Sequence, residues 1–70
     1  MGGLGQVQME EAIVAELRCR PGLSSAKLWD AVGRPFRFYP VLIALEQAGR
    51  IISWFAHEPR PRRRLYRVVP

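Results

Sequence analysis

The stretch Phe38 to Ile52, FYPVLIALEQAGRII, constrains the fold more than any other part of the chain. Phe38, Leu42 and Leu45 recur at i, i+4 and i+7 and so share one face of a helix. Gly49 falls where that face ends, and a left-handed helix cap favours glycine. Ile51 and Ile52 then restart the chain as β-branched strand formers. Beyond them lies HEPRPRRR, the most basic run in the sequence.

Upstream of this stretch the pattern is helical in two further places. Met9, Ile13 and Leu17 follow at i, i+4 and i+8 with Ala12 beside them, and Pro21-Gly22 ends the run, which predicts a first helix over about residues 8–19. Glu10 and Glu11 are expected in its first turn and Arg18 and Arg20 at its end, both favourable to the helix dipole. Residues 1–7 read as a flexible lead-in. Cys19 reads as a small half-buried hydrophobe, since nothing near it in sequence makes a catalytic pair. Ser24 is a good N-cap for a second helix over about residues 24–32, with Leu23 able to pack on Leu28 as a staple. Leu28, Ala31 and Val32 form its expected inward stripe, Gly33 its cap and Trp29 a core-edge residue.

The turn Gly33-Arg34-Pro35 leads to a third helix expected over about residues 36–48. Pro40 is tolerated there because first-turn amides lack an intrahelical acceptor. Ile52 and Trp54, alternating with Ser53, are expected to put one strand face on the core. Pro59 and Pro61 bracket a turn, and His57 to Arg62 forms the loop before a return strand RRRLYRVV. Tyr66 and Val68 share one face of that strand and Leu65, Arg67 and Val69 the other, with both faces apolar enough to leave the register open. The expected fold class is α+β: a winged helix-turn-helix over residues 8–70, three helices followed by a two-stranded β-hairpin wing.

The chain has 70 residues and a formal net charge of +5. A chain this small buries about 60% of its unfolded surface, so a homodimer is an expected source of further stability. One cysteine and one histidine provide neither an intrachain disulfide nor a zinc set, and no cofactor is expected. No apolar run reaches a membrane span, and the N-terminal residues lack the regions of a signal peptide, so a cytoplasmic location is expected. Residues 1–33 carry a net charge of −1 and residues 34–70 a net of +6. Such a split points to one face that binds a polyanion.

At these residues the chain resembles the PadR-type winged-helix transcriptional regulators. Tyr39-Pro40-x-Leu42-x-x-Leu45-Glu46-x-x-Gly49-x-Ile51 is similar to the family's third-helix signature. Arg60-Pro61-Arg62-Arg63-Arg64-Leu65-Tyr66-Arg67-Val68 is similar to its wing ending. The resemblance spans roughly residues 10–68. It implies a dimeric, sequence-specific DNA-binding regulator with the third helix in the major groove and the wing along the backbone. Tyr39 would approach phosphate or sugar, Arg37 would sit on the exposed start of the helix, and Arg62 and Arg64 would belong to the wing. Three departures stand out: no counterpart of the C-terminal dimerisation helix, Leu23-Ser24-Ser25 in place of a Gly-Tyr entry, and Val69 in place of a Thr.

Independently of that resemblance, phosphate recognition uses arginine, lysine, small hydroxyls and helix-start amides, which Arg60, Arg62, Arg63 and Arg64, Arg34 and Arg37, and Ser24, Ser25 and Lys27 can supply. If about five of these neutralise phosphate, log K should fall with log salt at a slope of roughly −4.5. Opposite Phe38, Leu42 and Leu45 the third helix carries Phe36, Pro40, Ile43, Ala44 and Gln47. Gln47 can bond adenine, and Ile43, Ala44 and Val41 can touch thymine methyls. Double-stranded DNA is therefore the expected partner. The alternative is a protein-interaction module that binds through the Ile43 and Ala44 face and the basic wing. RNA is less favoured because few aromatics are free to stack on splayed bases. No nucleophile–base pair, carboxylate pair or phosphate-cradling loop is present, so catalysis is not expected.

Overall fold

The computed structural model describes residues 5–56 and 64–70. Residues 1–4 of the expected lead-in, and His57, Arg60, Arg62 and Arg63 of the expected wing, lie outside the described residues. The order of elements is α1 (Gln6–Cys19), β1 (Leu23–Ser24), α2 (Ser25–Ala31), α3 (Phe38–Gln47), β2 (Ile51–Phe55) and β3 (Arg64–Val68). Three helices and a three-stranded antiparallel sheet make a small α+β fold, compatible with a winged helix.

Helix α1 begins two residues before the expected Gln8. The Gln8 side chain reaches back to accept the Gly5 N–H at 3.1 Å, which satisfies an otherwise orphaned donor and lets the helix start early. Glu10 and Glu11 therefore fall outside the first turn, contrary to expectation. Met9, Ile13 and Leu17 are buried as their spacing predicts, and Val14 joins them. Cys19 is exposed rather than half-buried, because two residues past Leu17 the helix has turned its side chain away from the core.

Helix α2 is capped by Ser24, whose Oγ accepts the Lys27 N–H at 3.3 Å. Within α2 only Leu28 is buried. Ala31, expected to face inward, is exposed, and Val32 is half-buried past the helix end. The next residues, Gly33 and Arg34, both have positive φ, 96° and 56°. Glycine takes that geometry freely and arginine does not. Arg34 is held there by its N–H bond to Trp29 O at 2.8 Å and by the bond from Trp29 Nε1 to Pro35 O at 3.1 Å, which closes the turn from the other side.

This left-handed detour delays α3. The helix starts at Phe38 with Arg37 as N-cap, not at Phe36, and Phe36 is 97% exposed. Pro40 becomes the third helical residue, still within the turn whose amides lack acceptors. Val41, expected to be able to touch thymine methyls, is instead buried with Phe38, Leu42 and Leu45. Gly49 has φ 78°, and Arg50 N–H closes the cap on Leu45 O at 3.0 Å.

Strands β2 and β3 pair antiparallel, with Ile51 opposite Val68, Ser53 opposite Tyr66 and Phe55 opposite Arg64. The core side of β2 carries Ile51, while Ile52 and Trp54 are each 38% exposed. This reverses the expected face. The Gly49 turn and the Val68 pairing set the register, and one residue of shift moves every side chain to the other face. The sheet also holds a strand the two-stranded expectation lacked: Leu23 pairs with Tyr66 and Ser24 with Leu65, in the order β1-β3-β2. The core joins α1, α2, α3, Ile51 and Tyr66, with Leu23, Trp29, Val32 and Val68 packed on its rim.

Candidate nucleic-acid interface

The expected contact residues that lie within the described chain occupy three places. Ser24, Ser25 and Lys27 form the start of α2. Ser24 spends its oxygen on capping, Ser25 is half-buried and Lys27 is exposed. Arg34 and Arg37 flank the turn into α3, and Tyr39 stands in its first turn. Gln47 is its last residue and is exposed. Arg64 opens β3 on the side where the expected wing joins the sheet.

The arginines differ in what holds them. Arg34 Nε donates to Asp30 Oδ1 at 2.6 Å, with both side chains more than half exposed. Its guanidinium lies 5.6 Å from the centre of the Trp29 ring. An exposed pair of this kind contributes roughly 0–1 kcal/mol, so a phosphate can displace the carboxylate. Arg64 is tied to the scaffold. Its guanidinium sits 4.8 Å from the Phe55 ring centre and 3.9 Å from Glu46, and Nη1 donates to Ser53 Oγ at 3.3 Å. Beneath this cluster the Tyr66 hydroxyl is pushed above its usual pKa. Burial is the main cause, opposed by Arg64 and reinforced by Glu46 and Tyr39.

Helix α3 presents an apolar outer face. Tyr39 and Ile43 are each 52% exposed, and the Tyr39 ring packs edge-on against Phe38 at 5.2 Å between centroids. Ala44 is half-buried. A second exposed surface was not expected from the sequence: Arg67 lies 5.8 Å from the Trp54 ring centre on the outer side of the sheet, beside Ile52. Its signal was the Ile52–Trp54 alternation, assigned to the opposite face. Among the described residues no three His, Cys, Asp or Glu side chains cluster as metal ligands, and no helix is long and apolar enough to cross a membrane.

The fold and this surface define a small α+β domain in which a sheet and two helices support a third helix whose outer face is uncovered among the described residues. No family model matches the chain, and no curated protein matches it. Among solved structures it is similar to the crystal structure of a conserved protein of unknown function presented as a potential transcriptional factor. The TM-score is 0.78 at 22% identity, over 100% of this chain and 71% of the other. At that identity the likeness is one of fold.

Proposed function

We propose that the chain is a DNA-binding transcriptional regulator with a winged helix-turn-helix fold of the PadR type. In this reading α3 faces the major groove, and Arg60, Arg62, Arg63 and Arg64 follow the phosphate backbone. The observation that carries it is the uncovered outer face of α3, entered past Arg34 and Arg37, in the half of the chain whose net charge is +6. A helix of this width fits the major groove, and flanking arginines supply the phosphate attraction. The potential transcriptional factor of similar fold supports the same reading. The proposal includes a non-catalytic, cytoplasmic protein without cofactor that acts as a homodimer.

The test is titration of a labelled random-sequence duplex at several salt concentrations. Affinity should fall steeply with salt. Arg34→Ala, Arg37→Ala and the joint change of Arg62 and Arg63 to Ala should each weaken binding and flatten the slope by about 0.9 for every phosphate no longer neutralised. No binding at about 50 mM salt, where a multi-phosphate interface is strong, would sink the proposal.

Phe36 favours a second reading. At 97% exposure, ahead of a helix on which Tyr39 and Ile43 are each 52% exposed, it adds to the exposed apolar area of the kind that docks protein. Here the Ile43 and Ala44 face binds a protein partner and the basic segment meets an acidic surface. Loss of a co-purifying protein on Ile43→Asp, with duplex binding intact, would favour it.

A further inference from the structure

The exposed residues of α3 follow helical spacing as closely as its buried ones. Tyr39, Ile43 and Gln47 stand at i, i+4 and i+8, with Pro40 beside them, and all four are exposed. Phe38, Val41, Leu42 and Leu45 fill the inner face. The outer stripe carries no charge, and its cations, Arg34 and Arg37, lie at its N-terminal end.

This composition limits which base pairs the helix can read. A guanine edge in the major groove is read by a forked arginine or a lysine, and α3 from Phe38 to Gln47 contains neither. Glu46, an acid of the kind that accepts from cytosine N4, is engaged by Ser53 and Arg64. What remains is the Gln47 amide, whose donor and acceptor match the N6 and N7 atoms of adenine, and the apolar side chain of Ile43, which matches the C5 methyl of thymine. A G·C pair placed under Ile43 would lose its hydration without a replacement bond.

Resting on the DNA-binding reading above, we infer that this stripe selects A·T base pairs from the major groove, with Ile43 on thymine methyls and Gln47 on adenine. Tyr39 lies on the Arg37 side of Ile43, between the phosphate-binding end and the base-reading part of the stripe.

Three alternating duplexes test this: poly(dA-dT), poly(dA-dU) and poly(dI-dC). Deoxyuridine removes the thymine methyl and keeps every hydrogen-bonding edge. Inosine presents guanine's major-groove edge but lacks its minor-groove amino group, so dI·dC resembles G·C from the major groove and A·T from the minor. Poly(dA-dT) should bind tightest, and poly(dA-dU) about fourfold more weakly for each methyl touched. Poly(dI-dC) should bind weakest. Ile43→Ala should abolish the preference for dT over dU, and Ile43→Val should keep most of it. Gln47→Ala should weaken dA-dT and dA-dU binding alike and preserve their ratio. Neither Ile43→Ala nor Gln47→Ala should change the salt slope, since neither side chain meets phosphate. Equal affinity for dA-dT and dA-dU, or dI-dC bound as tightly as dA-dT, overturns the inference and leaves DNA binding standing. Failure to bind any of the three at low salt overturns the DNA reading and this inference with it.

Discussion

Ser53 Oγ donates to Glu46 Oε2 at 2.6 Å, joining the middle of β2 to α3 one residue before its end. The same hydroxyl accepts from Arg64 Nη1 at the start of β3. A serine on the inward side of an otherwise apolar strand thus links three elements. A bond to an ionised carboxylate is stronger than one between neutral groups, which makes this the best-tethered polar link between α3 and the sheet.

Removing the hydroxyl with Ser53→Ala should lower stability by about 1 kcal/mol, the usual net value of a half-exposed hydrogen bond. Glu46→Gln should cost a similar amount. The two changes share one bond, so the double variant should lose less than the sum of the single losses. Urea unfolding midpoints check this, and strictly additive losses would show that the two residues act independently.

Phe38 is 1% exposed and is among the largest fully buried side chains. Phe38→Ala should cost roughly 3–5 kcal/mol through reduced burial and a cavity. A domain of this size has little more than that to lose. Thermal melting followed by circular dichroism should show a largely unfolded variant. A cooperative transition near that of the parent protein would mean that the core collapses around the gap.

Gly49 has positive φ, and a Cβ built there meets nothing within 4 Å. Gly49→Ala should therefore destabilise through the backbone alone, by about 1–2 kcal/mol. Gly49→Asn should cost less, because asparagine tolerates the left-handed region. Chemical denaturation of the two variants tests the order.

Tyr66 has a raised pKa in the folded chain, chiefly from burial. The folded state then holds its phenolic proton more tightly than the unfolded state, whose pKa stays near 10. Its contribution to stability is fully present below pH 10 and is lost as pH rises from there through the folded value. Denaturation midpoints measured on both sides of that window should fall more in the parent protein than in Tyr66→Phe. Parallel curves would remove Tyr66 as the source.

Several elements could be read directly from neighbouring residues. Met9, Ile13 and Leu17 mark the buried stripe of α1, Ser24 the cap of α2, and Gly49 the end of α3. Each depends on interactions within a turn or two of chain. Ile51 and Ile52 were less informative. Both are apolar, so period-two alternation fits either face, and pairing with Val68 decides which one is buried. Strand β1 was not legible for a related reason: two residues are too few to show a period, and Leu23–Ser24 extends only because Tyr66 and Leu65 lie opposite. The start of α3 depended on Arg34, whose positive φ no local rule assigns to arginine. The candidate site divides in the same way. The basic run and the exposed Ile43 and Gln47 follow from composition and spacing, whereas the engagement of Arg64 with Glu46, Ser53 and Phe55 required β3 to be in place.

For this protein, then, sequence by itself determined which stretches are helical, where α2 is capped, where α3 ends and where positive charge accumulates, because those are short-range consequences of side-chain chemistry. Tertiary structure decided which face of β2 is buried, that Val41 belongs to the core, and where α3 begins. Those outcomes depend on what each surface meets across the fold, and burial is a property of the pair of surfaces rather than of either alone.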